Sequence, residues 1–437
     1  MATENFIWHP FTQMKTAEPP LHVTKAKDCI LYTADGNSYI DAIASWWVNI
    51  HGHCHPAIAN AIAAQANTLE HVIFAGFTHT PAIDLSKNLI SILPGHFAKV
   101  FFSDDGSTAV EVALKMALQY WHNKGYTNKT SIIAFENAYH GDTFGAMSVA
   151  ERNAFNAAFN PLLFEVKRLP LPNKHNIESI KKQLAAWGDE GNAAAFIFEP
   201  LVQGAAGMLM YEAAYLDELI ALANEKNIIC IADEVMTGFG RTGRNFAIDY
   251  LKYKPDIICL SKGITGGFMA LGVTVCIQEI FDAFYDDDKN KTFFHGHSYT
   301  ANPLACAAAN ASIRLLTEEK CQEQISAIAS SHALFATTIR AHFFVKETRQ
   351  QGTILAIELN TKENRSYFNS IQTAAYTYYL SKGIFLRPLG NVVYIMPPYC
   401  ITQQELDKVY NAVAASLPYL AAISEGIKKE PDKRLFL

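Results

Sequence analysis

Two apolar runs, NIICIADEV and DIICLSKG, each close on one ionisable group, Asp233 in the first and Lys262 in the second. A run of about four to eight apolar residues bounded by polar ones reads as a strand buried on both faces, the usual pattern of a parallel sheet. In open α/β sheets ligands bind where such strands end. The two runs therefore predict an acid and an amine facing one crevice. Pyridoxal phosphate needs that pair from a protein: a carboxylate that keeps the ring nitrogen protonated, and an amine that condenses with the aldehyde. A buried ion pair, or two unrelated strand-end residues, is the alternative that the runs alone leave open.

Composition sets the frame for this crevice. With 437 residues, 50% of them hydrophobic and 18% charged, the chain can bury a large core and divide into about two or three domains. A net charge of −6 without a long Lys/Arg block argues against nucleic-acid and anionic-membrane partners, and the tail GIKKEPDKR reads as a solvated terminus. The start MATENFIWHP lacks a basic segment followed by an apolar one, and no stretch offers the ~18 uninterrupted apolar residues of a membrane span. A cytoplasmic location is the resulting expectation. The eight cysteines show no C-x-x-C spacing and fall singly or inside apolar segments, as Cys230, Cys259, Cys276 and Cys306 do, so they read as reduced and mostly buried.

Strand and helix patterns alternate around the two runs. LEHVIFAG reads as a strand, followed by a helix near PAIDLSKNLISIL, the strand KVFFSD, the helix STAVEVALKMALQYWHN, the strands TSIIAFE and AAAFIFEPL, and the helix AAYLDELIALANEK. This rhythm predicts an α/β fold whose mainly parallel sheet is covered by helices, and VTVCIQEI is a candidate further strand. Past the Ala-rich helix NPLACAAANASIRLL come the strands TILAIEL, GIFLRP and VVYIMPPY and a closing helix TQQELDKVYNAVAASL. Joined by the N-terminal pair CILYTADGNSYIDA, which turns at Asp35-Gly36, they predict a smaller α+β domain. The expected division is 49–315 for the large domain and 1–48 plus 316–437 for the small one.

KVFFSDDGSTAVEVALKMAL runs from a strand through Gly106, Ser107 and Thr108 into a helix with apolar residues at Val110, Ala113, Leu114, Ala117 and Leu118. A glycine that lets the backbone approach, two hydroxyls and the positive end of a helix make a phosphate cup, although a helix cap without a ligand reads the same way. Neither G-x-G-x-x-G nor G-x-x-x-x-G-K-[ST] occurs, so nicotinamide and nucleotide triphosphate readings lack support. TSIIAFENAYHGDTFGAMS then places Tyr139, His140 and Asp142 in a loop after a strand, where an aromatic ring can cover a planar cofactor. His140 and Asp142 equally read as ordinary loop hydrogen-bonders.

ADEVMTGFGRTG, followed by the lysine of LSKGITGG, resembles the signature of the class III pyridoxal-phosphate aminotransferases. Within that class, IWHPFTQM, SWWVNIHGHCHP, GSTAVEVALKMALQYW, YHGDTFGAMS and HGHSYTANPLACAAANAS are similar to the branch that aminates 8-amino-7-oxononanoate with S-adenosylmethionine in biotin synthesis. The match runs from Ile7 to about Tyr399. It implies fold type I, with a seven-stranded sheet in the large domain, and a homodimer with composite active sites. It implies Lys262 as the residue that bonds the cofactor and shuttles protons, Asp233 on the pyridine nitrogen, Gly106 and Ser107 on the phosphate, and Tyr139 at the ring and substrate. Trp46 is implied to line the substrate pocket, Arg387 to hold the acceptor carboxylate, and Gly296, His297 and Ser298 to reach the site of the neighbouring subunit. Arg241 in GRTG and Glu199 in FEPLVQG also match class motifs, although structural pairing accounts for either as well, and Tyr394 is expected to border the acceptor site. The chemistry of Arg387 suits its implied role, because a guanidinium gives a carboxylate a planar two-point grip. A half-buried structural pairing is its alternative. Trp46-Trp47 also reads as core; adjacent residues of an extended chain point to opposite sides, so one indole packs while the other lines the pocket.

Three positions depart from the family pattern. Phe11 in HPFTQM stands where tyrosine is familiar, and so keeps a ring without its hydroxyl; His297 stands in place of a proline. Asp105 stands where serine is familiar and sets a carboxylate beside the phosphate cup, which is unfavourable unless it turns away or caps the helix. These changes bear on the amino donor, for which lysine is the alternative to S-adenosylmethionine. His51, His53, Cys54 and His55 in HGHCHP do not match zinc-ligand spacing, so no metal is expected. The rival readings are another class III enzyme, such as an ornithine, acetylornithine or ω-amino-acid transaminase or an aminomutase, and a non-catalytic binding protein of the same fold.

Overall fold

The computed structural model describes residues 6–362, 369 and 371–426; the tail read above as solvated therefore lies, from residue 427 on, outside the described residues. The N-terminal end supplies the strands Val23–Lys27 (β1), Ile30–Thr33 (β2) and Ser38–Asp41 (β3). The middle supplies Phe97–Ser103 (β4), Ser131–Phe135 (β5), Val166–Leu169 (β6), Ala193–Phe198 (β7), Val202–Gln203 (β8), Leu209–Met210 (β9), Ile229–Asp233 (β10), Ile257–Leu260 (β11) and Gly272–Ile277 (β12). The last strands are Val345–Gln351 (β13), Ile354–Leu359 (β14), Ile384–Phe385 (β15) and Val392–Ile395 (β16).

Seven of these strands form one sheet in the order β4-β12-β11-β10-β7-β5-β6, parallel except for β12, which runs antiparallel to both neighbours. This is the mainly parallel seven-stranded sheet of the expected α/β class. Every residue of β7, β10 and β11 is buried, which is why those strands are continuous apolar runs. β6, with the sequence VKRL, lies at the sheet edge and was not foreseen, because only one of its faces needs apolar residues. LEHVIFAG, read as a strand, joins no strand; Ile73 there is solvent-exposed.

The helix Gly106–Asn123 follows β4 at one side of the sheet and leads to β5 near the other, so the strand order switches between them. A crevice opens at such a switch point, beyond the carboxyl ends of the strands. Two smaller sheets come from the ends of the chain: β1-β2-β3-β15, which draws on both ends, and β13-β14-β16, which draws on the C-terminal end alone. Arg349 of β13 ties the second of these to the β8–β9 hairpin, donating from Nε to Met208 O (3.0 Å) and from Nη2 to Gly207 O (2.8 Å). Its charge is met by the buried Glu358 carboxylate at 2.7 Å.

Candidate active site

A cavity of about 440 Å³, within the usual range for small-molecule sites, lies at the switch point. Its lining includes Trp47, Asp105, Gly106, Ser107, Tyr139, His140, Glu199, Asp233, Val235 and Lys262. Asp233 ends β10 and Lys262 follows β11, its parallel neighbour, so pairing of the strands brings the acid and the amine together.

Asp233 is held from two directions. Its Oδ2 lies 2.7 Å from His140 Nδ1 and its Oδ1 accepts the Val235 N–H at 3.1 Å. His140, which read equally well as a loop residue, is thus a buried partner of the central carboxylate, and its Nε2 has no hydrogen-bond partner among the described residues. Glu199 adds a second buried carboxylate, accepting from Tyr139 N (3.1 Å) and Gly204 N (2.9 Å). Burial pushes its pKa up to about 7. Lys262 is brought down to about 8 by burial, against the attraction of Asp233 and Glu199 and with a small contribution from Arg241. Its amine lies 4.5 Å from the centre of the Trp47 ring. The Lys262 backbone sits at φ 46, a conformation that an L-residue adopts only where its surroundings enforce it.

The opposite wall is the N-terminus of Gly106–Asn123. Asp105 caps this helix: its carboxylate accepts the Thr108 N–H at 2.9 Å, while Thr108 Oγ1 accepts the Asp105 N–H at 3.0 Å. The foreign carboxylate is thereby spent on a cap. A Cβ on Gly106 would come within 2.7 Å of Val235, and one on Gly141 within 2.2 Å of Ser107 Oγ, so both glycines keep the cup open and close-packed. Tyr139 donates its hydroxyl to Asp142 Oδ2 at 2.9 Å, and Asp142 N donates to Ser107 Oγ at 3.3 Å, which links the aromatic wall to the cup.

The two tryptophans diverge, but not on an extended chain. Ala44 (φ 50), Ser45 (φ 60) and Trp47 (φ 69) turn the backbone through left-handed conformations. Asp41 fixes this turn, accepting from Ile43 N and Ser45 Oγ and lying 2.8 Å from His53 Nε2. Trp47 is the indole inside the cavity, donating from Nε1 to Tyr394 Oη at 3.0 Å. Trp46 is half-exposed and meets Phe11 at 5.5 Å between ring centres, with the Arg387 guanidinium 5.3 Å from its own ring. Phe11, Trp46 and Arg387 thus form a group outside the cavity lining. Arg241 is buried and donates to Pro397 O (2.8 Å) and Trp47 O (3.2 Å), holding the turn from behind. Gly296, His297 and Ser298 also lie outside the lining; His297 Nδ1 is 3.0 Å from Asp104 Oδ2 without hydrogen-bond alignment. The three histidines of HGHCHP serve separate purposes: His51 Nε2 meets Ser312 O, His53 meets Asp41, and His55 caps the helix Pro56–Ala66. Sequence reasoning missed Asp41, for which the segment YIDA carries no signal.

The site fits pyridoxal phosphate: an anchored carboxylate, a buried amine of lowered pKa, an aromatic wall and a helix N-terminus with two close-packed glycines all face one cavity. A family model for class-III aminotransferases matches residues 12–417. The chain is 48% identical to an adenosylmethionine-8-amino-7-oxononanoate aminotransferase of Synechococcus elongatus, covering 95% of this chain and 99% of that one. It is 39% identical to the protein of the same name from Helicobacter pylori, over 96% and 97% of the two chains. The crystal structure of the Methanocaldococcus jannaschii protein of that name superposes with a TM-score of 0.89 at 35% identity, covering 95% of this chain and 97% of that one. A PLP-bound amine transaminase from an uncultivated Pseudomonas species superposes with a TM-score of 0.88 at 30% identity, over 96% and 99%. The chain therefore belongs to the class-III aminotransferase family.

Proposed function

We propose that this chain is a pyridoxal-phosphate-dependent transaminase that moves the amino group of S-adenosylmethionine to 8-amino-7-oxononanoate, yielding 7,8-diaminononanoate for biotin synthesis. The observation that carries the chemistry is the meeting of Asp233 and Lys262 in one cavity; the names of the relatives support the substrates. When bound, pyridoxal phosphate supplies an electron-withdrawing ring that makes an amine Cα–H acidic.

The chain's own residues do the rest. Asp233 keeps a fixed negative charge on the floor, because His140 and the Val235 N–H immobilise its two oxygens. Lys262 Nζ, its pKa brought down to about 8, still carries its proton at neutrality but gives it up far more readily than an ordinary lysine; as the free amine it would move a proton from the donor Cα to the cofactor, and the second half-reaction runs that transfer backwards. Gly106, Ser107 and the helix N-terminus would hold the phosphate, Tyr139 and Val235 line the same cavity, and Trp47 keeps water from the lysine. Phe11, Trp46 and Arg387 receive the substrates at the rim, with Arg387 gripping the acceptor carboxylate. Arg241 and Tyr394 act one layer behind, through the Trp47 carbonyl and indole.

A second copy of the chain completes each site by contributing Gly296, His297 and Ser298. The exposure of Phe6, Trp8, Ile73, Phe77, Phe294 and Tyr299 supports such a homodimer, since apolar surface of this kind favours a partner. The small domain is best drawn as residues 1–48 plus 316–437, around the two sheets built from both ends of the chain. No helix among the described residues is long and apolar enough to cross a membrane, which supports a cytoplasmic enzyme.

The test is a single-turnover measurement of the cofactor absorbance with S-adenosylmethionine or lysine as donor. Conversion with S-adenosylmethionine and not with lysine is the expected outcome. Conversion by a different amine alone would end the biotin reading.

A further inference from the structure

Cys29 and Cys400, neither of which lines the cavity, approach each other from opposite ends of the chain. Their Sγ atoms are 3.5 Å apart, Cys29 is fully buried, and Cys400 keeps partial access to solvent. The meeting is built rather than incidental, because one turn, residues 50–53, holds both partners. Asp28, next to Cys29, exchanges backbone hydrogen bonds with His53 (3.1 and 2.7 Å), while Tyr399 N, next to Cys400, donates to Ile50 O at 2.8 Å. Between those anchors stands Gly52 at φ 88, where any Cβ would lie 2.5 Å from Cys400 Sγ. Only glycine leaves room for that sulfur to reach Cys29.

We propose that Cys29 and Cys400 form a dithiol modification site, which a low-molecular-weight disulfide converts reversibly into an intramolecular disulfide. The Cys400 thiolate attacks one sulfur of the oxidant; the oxidant's S–S bond breaks, one small thiolate leaves, and a mixed disulfide remains on Cys400. Cys29 then loses its proton to solvent and attacks the Cys400 sulfur, and the second small thiolate departs. Two cysteine thiols are oxidised to one disulfide, and one oxidant molecule is reduced to two thiols, each leaving thiolate taking up a proton. The order follows from access. Cys29 is the buried group, and its hydrogen bond with Cys400, together with burial, pushes its thiol above the usual range. The bond would close a loop between residues 371 apart in sequence, so it should restrict the unfolded chain and raise the unfolding midpoint.

The experiment incubates the full-length protein carrying Cys54→Ser, which removes the exposed thiol, with oxidised glutathione, then alkylates it and maps its peptides. The expected result is a cross-linked Cys29–Cys400 peptide, loss of two alkylatable thiols, a higher unfolding midpoint, and reversal of all three by dithiothreitol. In a Cys29→Ser variant glutathione should stay trapped on Cys400, and in Cys400→Ser neither species should form. Stable glutathionylation of Cys400 with Cys29 intact, a cross-link of Cys400 to Cys321, or no loss of thiols would overturn the proposal. The parent protein alone decides between these results if a variant fails to fold.

Discussion

Asp233 and Lys262 lie on neighbouring parallel strands near the middle of the chain, whereas Phe11, Trp46 and Arg387 meet from its two ends. The first group lines the cavity as its floor; the second lies outside that lining and is its rim on the proposed reading. Floor residues are positioned by strand pairing, which also buries them and shifts their pKa values: Lys262 is down near 8 and Glu199 up near 7. Phe11 and Arg387 meet instead on a half-exposed indole, that of Trp46. On the proposed reading the contrast separates two tasks. A proton shuttle needs a dry, fixed environment, while recognition of a long substrate needs adaptable groups near water.

The largest expected effect concerns the floor. Lys262→Met should lower transamination by about a thousandfold or more, because among the described residues no other amine lines the cavity. The same change should stabilise the cofactor-free protein. A lysine whose pKa falls from 10.5 to about 8 on folding destabilises the folded state by up to about 3 kcal/mol at pH 7. The sign follows from proton binding: between about pH 8 and 10.5 the unfolded chain holds more protons, so parent stability rises with pH through that window. The gap between parent and variant should therefore narrow as pH rises, as urea unfolding at several pH values would reveal. A variant that loses both activity and stability would show that the floor is structural first.

At the rim, Arg387→Ala should raise KM for the carboxylate-bearing acceptor by about 10–100-fold and change kcat little, the worth of a charge-assisted hydrogen bond being ~1.5–3 kcal/mol. Arg387→Lys should recover only part of this, since an ammonium lacks the two-point grip. A ketone acceptor without a carboxylate should not distinguish the three proteins. If it did, Arg387 would act by packing on Trp46 and the floor–rim distinction would blur.

The same contrast explains what could be read from sequence. NIICIADEV and DIICLSKG announce themselves because a strand buried on both faces has no freedom to be polar, and the residue that breaks the run stands out. Gly106 to Thr108 was legible for a similar local reason, a glycine and two hydroxyls opening an amphipathic helix. LEHVIFAG misled because apolar content alone does not make a strand: Phe74 packs against the core while Ile73 beside it is exposed, and the segment pairs with no strand. The tryptophan pair could not be resolved locally: the left-handed turn at Ala44 and Ser45 depends on Asp41 and on Arg241, almost two hundred residues away. Likewise, nothing in YHGD tells His140 that its partner is Asp233 on another strand.

The smallest effect probes the seam between floor and phosphate cup. Asp105 does two opposed things at once. Its carboxylate caps the helix through Thr108, worth about 1 kcal/mol, and it brings a negative charge to the place where an anion is proposed to bind. Asp105→Asn keeps an acceptor for the Thr108 N–H and removes the charge, so stability should hold within a few tenths of a kcal/mol while affinity for pyridoxal phosphate rises a few-fold. Asp105→Ala removes both, and should lower stability by about 1 kcal/mol with the same gain in affinity offset by a looser helix end. Because Asp105 is exposed, added salt should shrink the difference between parent and Asp105→Asn. Equal affinities at every salt concentration would mean that the carboxylate is screened from the cup by its own cap, and that the helix terminus tolerates acid or amide there without consequence for the site.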